Sequence, residues 1–213
     1  MEKKYKLTKE TINVVSKTLY RIEALRDFND VKKGDKGGFI EKEENLSQSD
    51  NCWVYGNAKV YGDAKVHDNA KVSGNAEVCN YAEVYDNAEV YDDARVYERA
   101  KVYGDAKVSG NAVVCGNAVV CGKAEVCDKA EVCGNAIVAN DSDYIVFKNW
   151  WSSGRYFTWT KSNNMWKVGC FYGSGKQLIN KAYMDSELSG NEYERVVRYV
   201  DKDYDFLREN QPF

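Results

Sequence analysis

Apolar and polar positions in the middle of this chain repeat with a period of six residues. A valine stands at every sixth position from Val54 to Val138, and an alanine recurs at the same interval from Ala58 to Ala136. This period fits neither a helix face, which repeats about every 3.6 residues, nor an uninterrupted alternating strand. It fits a short strand with alanine and valine pointing inward and their neighbours pointing outward, closed by a two-residue corner. The pattern therefore predicts a β-solenoid.

Charges at the outward position indicate how many strands make one turn. Their sign changes every three repeats, in the order Lys59, Lys65, Lys71, then Glu77, Glu83, Glu89, then Arg95, Lys101, Lys107. With three strands per turn, Lys59 stacks on Glu77, whereas two strands per turn would stack Lys59 on Lys71. Like charges on neighbouring strands are destabilising. The sequence therefore predicts a three-sided parallel β-helix of about five turns, roughly 24 Å tall at ~4.8 Å per turn.

The corners are rich in glycine, asparagine and aspartate, as at Gly56-Asn57 and Asp68-Asn69. A tight corner needs a residue at positive φ, which glycine adopts without cost and Asn or Asp at little cost. Four residues replace the usual Asn or Asp at the second corner position and are expected to be strained: Tyr81, Arg99, Lys123 and Lys129.

Two non-repetitive segments flank the repeats, so we divide the chain into a cap (1–50), the β-helix (51–143) and a C-terminal α/β domain (144–213). A solenoid end exposes apolar side chains and unpaired backbone groups, and both ends therefore need a cover. Residues 19–25 of the cap are predicted to form a strand. The protein as a whole is expected to be mainly β.

In the C-terminal domain, alternation predicts a strand over 144–147 and a hairpin with arms at 155–160 and 165–170. Helical spacing predicts one helix around residues 178–183 and a second that starts after Asn191 as its N-cap.

Composition excludes several classes of protein. The 213 residues carry a net charge of −3 with a pI near 5.4, which argues against general affinity for nucleic acid or anionic lipid. No stretch is long and apolar enough to span a membrane, and the first residues lack an apolar signal core. A cytoplasmic location is the resulting expectation.

Most of the seven cysteines are variants of one repeat position, because Cys79, Cys115, Cys121, Cys127 and Cys133 occupy the outward slot that Tyr or Ser fills elsewhere. This spacing places them on three faces, whereas zinc needs a convergent set of ligands. Free structural thiols and no metal site are therefore expected. Cys115 and Cys133 are stacked neighbours, so a disulfide between them is geometrically open.

Aromatic and basic residues concentrate in the predicted hairpin. The candidate ligand-binding residues are Arg155, Tyr156, Trp159, Lys161, Trp166 and Lys167. Aromatic rings interleaved with cations can stack a base or sugar and neutralise a phosphate. The alternative is that these aromatics form the core of the small domain. The nearby Gly173-Ser174-Gly175-Lys176 lacks the spacing of a phosphate-binding loop and is interpreted as a turn before a helix.

Repeats such as Val-Tyr-Gly-Asn-Ala-Lys resemble the hexapeptide repeat of the left-handed β-helix acyltransferase superfamily, over residues 54–143. The N-terminal residues Lys4–Thr8, Ala24–Phe28 and Asn45–Ser47 are similar to uncharacterised bacterial and phage hexapeptide-repeat proteins. The resemblance implies a left-handed helix, a homotrimer and acyl transfer with a histidine base.

The chain departs from the chemistry of that superfamily. It contains one histidine, His67, and its coils have no inserted loop. Zinc held by three histidines, as in the carbonic anhydrases of this fold, is excluded. We therefore assign no catalytic residue, cofactor or metal. The sequence favours a non-catalytic binding protein that sequesters an anionic nucleotide-type small molecule, and the resemblance implies that it is phage or prophage encoded. An acyltransferase and a structural oligomerisation scaffold remain as alternatives.

Overall fold

The computed structural model describes residues 3–150 and 153–210. The chain divides into two compact units, Met1–Ser142 and Asp143–Phe213. No helix in the described residues combines the length and apolar character that crossing a membrane requires.

The first unit begins with β1 (Tyr5–Val14), β2 (Lys17–Ala24) and β3 (Lys36–Ile40). Its two-residue strands follow at intervals of six: β4 (Trp53–Val54), β5 (Lys59–Val60), β6 (Lys65–Val66), β7 (Lys71–Val72), β8 (Glu77–Val78), β9 (Glu83–Val84), β10 (Glu89–Val90), β11 (Arg95–Val96), β12 (Lys101–Val102), β13 (Lys107–Val108), β14 (Val113–Val114), β15 (Val119–Val120), β16 (Glu125–Val126), β17 (Glu131–Val132) and β18 (Ile137–Val138).

These short strands form the three parallel faces that the charge pattern predicts. One face has the order β5-β8-β11-β14-β17, the second β4-β7-β10-β13-β16 and the third β6-β9-β12-β15-β18. Glu77 pairs with Lys59 on one side and Arg95 on the other. The repeat valines and alanines are buried in the interior at 0–1% exposure. The three-sided parallel β-helix is confirmed.

The helix has about six turns rather than the five predicted. Ile40 in β3 pairs with Val60, Leu46 forms an isolated bridge with Val66, and Val54 pairs with Val72, which together make an additional first turn. Leu46 and Val54 are eight residues apart in the sequence. These two extra residues break the period of six, so the repeat pattern could not reveal this turn.

The N-terminal hairpin β1-β2 extends one face of the solenoid beyond its first turn. β1 and β2 are antiparallel, β2 is antiparallel to β3, and β3 is parallel to β5. The predicted strand over 19–25 corresponds to β2. The edge that the first turn would otherwise expose is thereby extended by hydrogen-bonded strands.

The corner prediction needs a correction, because the first corner residue, not the second, adopts positive φ. Gly56 has φ 59° and Asp68 has φ 56°, whereas the second-position residues Tyr81 and Arg99 have no positive φ. The same holds for Lys123 and Lys129, so the four residues expected to be strained are not.

The unfavourable first-position residue is Glu98 at φ 61°, since it is neither Gly, Asn nor Asp. Its carboxylate accepts a hydrogen bond from the Gly116 N–H at 2.5 Å. Asp86 likewise accepts from the Gly104 N–H at 3.1 Å. Acidic residues at this position therefore satisfy a backbone donor of the next turn.

The second unit is a four-stranded antiparallel sheet followed by two helices: β19 (Tyr144–Lys148), β20 (Tyr156–Thr160), β21 (Met165–Val168), β22 (Phe171–Gly173), α1 (Gly175–Asp185) and α2 (Glu187–Asn210). Its core combines alternate sheet residues with one side of each helix: Phe157, Trp159, Trp166, Val168, Leu178, Ala182, Tyr193, Val197 and Val200.

The predicted start of the second helix is wrong. Helix α2 begins at Glu187 rather than after Asn191, and the Ser186 hydroxyl accepts a hydrogen bond from the Ser189 N–H at 3.1 Å. Gly190, which precedes the predicted cap Asn191, lies inside α2. A Cβ there would come within 2.1 Å of the Tyr183 ring, so glycine allows α1 and α2 to approach closely.

The expectation of free thiols is wrong for one pair, because Cys115 and Cys133 form a disulfide with their Cα atoms 4.6 Å apart. Residues 18 apart in the sequence occupy adjacent turns of one column, which brings their side chains within bonding distance. Five other cysteines, Cys52, Cys79, Cys121, Cys127 and Cys170, are not part of a disulfide.

Candidate functional site

The residues predicted to form a ligand site in the hairpin do not share one surface. Trp159 and Trp166 are paired across β20 and β21 and are 3% and 0% exposed within the core. Tyr156 and Lys167 lie on the opposite face of the sheet, because side chains alternate along a strand. Arg155 and Lys161 lie just beyond the two ends of β20. The tryptophan rings therefore present no open face for stacking a ligand.

The glycine turn before α1 forms a helix cap. The Ser174 hydroxyl accepts from the Gln177 N–H at 3.4 Å, and the Gln177 side-chain oxygen accepts from the Ser174 N–H at 2.9 Å. This reciprocal capping box satisfies donors at the start of the helix, in agreement with the interpretation of this turn.

His67 ends an aromatic column on the solenoid. Its Nδ1 lies 2.9 Å from a carboxylate oxygen of Asp68, and its ring stacks on Tyr85 at 5.0 Å. Tyr85 in turn stacks on Tyr103 at 4.9 Å. An Asp68 that accepts from Nδ1 leaves Nε2 as an acceptor, which is the form a general base requires.

A different column on the solenoid contains a cleft. In the outward slot after β4, β7 and β10 stand Tyr55, Ser73 and Tyr91, so serine interrupts the aromatic column. These residues, together with Lys71 and Glu89, line a cleft of about 350 Å³. We call these five residues the ring cleft. Its volume lies at the small end of the range for ligand sites.

Lys71 and Glu89 form one edge of the ring cleft. They are opposite each other in the register of β7 and β10, yet they form no ion pair with each other or with another described residue. Equivalent neighbours do pair elsewhere, as Lys107 and Glu125 show at 3.2 Å. The Lys71 ammonium and the Glu89 carboxylate are therefore both available to a ligand.

A second cleft of about 270 Å³ lies on the other side of Lys71 and Glu89. Four asparagines complete its lining, Asn29, Asn51, Asn69 and Asn87, and we call the six residues the amide cleft. Amide groups donate along the corner column, from Asn51 to Asn69 at 3.2 Å and from Asn69 to Asn87 at 3.1 Å. Each amide NH₂ has a second hydrogen that remains for another acceptor.

Two features hold the wall of the ring cleft in place. The Tyr55 hydroxyl donates to Asp30 at 2.9 Å, and burial together with the Asp30 carboxylate raises the pKa of Tyr55, which keeps it protonated. Backbone bonds fix each turn to the next, as from the Ser73 N–H to the Val90 carbonyl at 2.9 Å. The cleft is therefore preorganised by the ladder.

Tyr55 and Tyr91 occupy the outward slot of the repeat and by themselves predict only aromatic packing along a column or a contact between subunits. The signal that could have identified the cleft is a small residue between two aromatics 18 positions away on either side. The described residues contain no cluster of three or more His, Cys, Asp or Glu that could hold a metal ion.

Comparison with known proteins agrees with the repeat architecture. A family model described as YdcK Beta solenoid repeat matches residues 106–122. The chain is also 51% identical over 37 residues to a protein of Escherichia coli (strain K12) named "Uncharacterized acetyltransferase YdcK". That alignment covers 17% of this chain and 11% of the relative. Both matches fit a hexapeptide-repeat β-helix family, and the resemblance drawn from the repeats is confirmed.

Proposed function

We propose that this β-solenoid is the scaffold of a non-catalytic binding protein, and that an anionic nucleotide-type small molecule binds at the ring and amide clefts. The observation that carries the proposal is the Lys71 ammonium, which has no ion-pair partner among the described residues and lies between aromatic and amide surfaces. Stacking surfaces beside a cation and amide donors are the groups that recognise a base and a phosphate.

Each side chain has a role in this proposal. The rings of Tyr55 and Tyr91 contact the planar part of the ligand, and Lys71 neutralises its anionic group. Glu89 accepts from an N–H or hydroxyl of the ligand, and the asparagines donate to its oxygens. Since the turns that carry Lys71, Ser73, Glu89 and Tyr91 are hydrogen-bonded to their neighbours, binding does not require their backbone to be ordered.

Native mass spectrometry of protein purified from cells tests the proposal, with nucleoside monophosphates added where no ligand co-purifies. Lys71→Ala is expected to lose the bound mass. Lys107→Ala is the matched control, because it removes the same charge from the same column at a residue already paired with Glu125. Retention of the ligand in Lys71→Ala, or equal loss in both variants, would contradict the proposed site.

The proposal extends to biological context. Similarity to phage hexapeptide-repeat proteins supports sequestration of a nucleotide-type signal in the cytoplasm, and the resembled superfamily supports a homotrimer. Sedimentation velocity at micromolar protein measures the assembly, and a monomer would refute the trimer.

Acetyl transfer is the second candidate. It is favoured by the His67–Asp68 contact of 2.9 Å and by the name of the E. coli relative. The test is release of coenzyme A from acetyl-CoA in the presence of amine and hydroxyl acceptors. Turnover that disappears in His67→Ala would establish an enzyme and replace the binding-protein proposal.

A further inference from the structure

Aromatic side chains in consecutive turns of this solenoid stack at the spacing of the turns. The ring centroids of His67 and Tyr85 are 5.0 Å apart with planes inclined by 5°, and those of Tyr85 and Tyr103 are 4.9 Å apart with planes inclined by 10°. The column thus accepts one ring per turn in a near-parallel orientation. These centroid distances give the ring spacing expected in the column that contains Ser73.

In that second column the two tyrosines are separated by two turns. At ~4.8 Å per turn, the Tyr55 and Tyr91 rings stand about 10 Å apart. The side chain between them is the short Ser73, and neither tyrosine stacks on another ring among the described residues. The space between them corresponds to one ring at the spacing of the His67 column.

Building on the proposed function, we propose that the Ser73 gap is a stacking slot for a single planar ring, which identifies the recognised part of the ligand as a nucleobase. The bound ring completes a three-membered stack between Tyr55 and Tyr91. Lys71 and Glu89 stand on the strands beside the slot. They face the polar edge of the bound ring or the phosphate of the nucleotide. A sugar phosphate without a base lacks the group that fills the slot.

The slot can be blocked by a substitution for which the His67 column provides a structural precedent. A tyrosine at the Ser73 position occupies the space of the ligand ring, and Tyr85 shows that the solenoid accommodates a ring between two aromatic neighbours. Ser73→Tyr is therefore expected to remain folded and to block the slot. Ser109→Tyr is the matched control, since Ser109 stands in the same column between Tyr91 and Cys127 and has only one tyrosine neighbour.

Isothermal titration of the full-length protein with AMP, UMP and ribose 5-phosphate measures these effects. At least one nucleotide is expected to bind, and about fivefold or more tighter than ribose 5-phosphate, consistent with the loss of one stacking interaction. Ser73→Tyr is expected to weaken nucleotide binding by the same factor or more, and Ser109→Tyr to leave it unchanged. Circular dichroism checks that both variants are folded.

Tyr91→Ala provides an independent variant that removes one wall of the slot without adding volume, and it is expected to weaken nucleotide binding as well. Nucleotide binding unaffected by Ser73→Tyr and Tyr91→Ala, or equal binding of ribose 5-phosphate, would overturn the stacking slot while leaving the proposed binding function in place. Absence of nucleotide binding to the unmodified protein would overturn the proposed function itself.

Discussion

Replacing one interior valine tests whether the stacked turns behave as a single packed core. Val96 lies at mid-solenoid in β11, is 0% exposed, and is paired with Val78 in the turn before and Val114 in the turn after. Val96→Ala removes two methyl groups from this column. At ~0.8 kcal/mol per buried carbon, the lost transfer free energy is about 1.6 kcal/mol.

A cavity term adds to this loss, because the neighbouring turns cannot close the space. The Val96 carbonyl accepts from the Cys79 N–H at 3.0 Å, and the Tyr97 N–H donates to the Val114 carbonyl at 3.0 Å. These ladder bonds hold the turns at a fixed spacing. A residual cavity of roughly 40 Å³ costs about 1 kcal/mol, so the free energy of unfolding should fall by about 2–3 kcal/mol.

Urea denaturation followed by circular dichroism measures this change. The control is Arg95→Ala, which alters the adjacent residue of the same strand, whose side chain is exposed and points away from the core. Exposed substitutions of this kind change stability by about 0.5 kcal/mol or less. A loss below about 0.5 kcal/mol in Val96→Ala, or equal losses in the two variants, would refute the packed interior.

Two further predictions concern other parts of the chain. Gly190→Ala should destabilise the second unit by roughly 1–3 kcal/mol, because the new Cβ would overlap the Tyr183 ring and separate the helices; helical circular dichroism during thermal unfolding measures it, and an unchanged midpoint would contradict the close approach. Burial raises the pKa of Glu41, but hydrogen bonds from the Lys17 ammonium and the Gly62 N–H outweigh it and hold the pKa below the usual value of 4.5. The ionised Glu41 should therefore stabilise the fold above pH 4.5, and this stabilisation should be lost as the pH falls through the lowered pKa. In urea denaturation at several pH values, Glu41→Gln should lose less stability in acid than the unmodified protein. An unchanged pH profile would show that the Glu41–Lys17 contact contributes nothing to stability.

The sequence determined the solenoid because its instructions are local and repeated. Inward valine and alanine fix which face is buried, and the alternation of Lys59, Glu77 and Arg95 fixes three strands per turn through the cost of stacking like charges. The aromatic column of His67, Tyr85 and Tyr103 follows from the same arithmetic. Such features need only the period and the pleat of a strand.

Tertiary structure decided what the period does not encode. The eight residues from Leu46 to Val54 hide the first turn, and only strand pairing reveals that β3 begins the helix. Ser186 and Asn191 are both residue types that cap helices, and the close approach of α1 and α2 at Gly190 places this glycine inside α2 rather than before it. In both cases a contact between elements decides the outcome, and the period of the repeats does not encode that contact.

The candidate site lies between these two cases. Every residue of the ring cleft occupies a repeat position that the sequence predicts, so their order along the column was available from the start. That Lys71 and Glu89 remain unpaired, and that Asn29 from the N-terminal segment joins the amide cleft, depended on side-chain geometry in three dimensions. In the hairpin, likewise, composition suggested one aromatic surface. Trp159 and Trp166 instead lie on the side of the sheet that packs against the helices, and because side chains alternate along a strand, Tyr156 lies on the opposite side. A period fixes where side chains stand, whereas contacts between segments decide which of them remain available to a ligand.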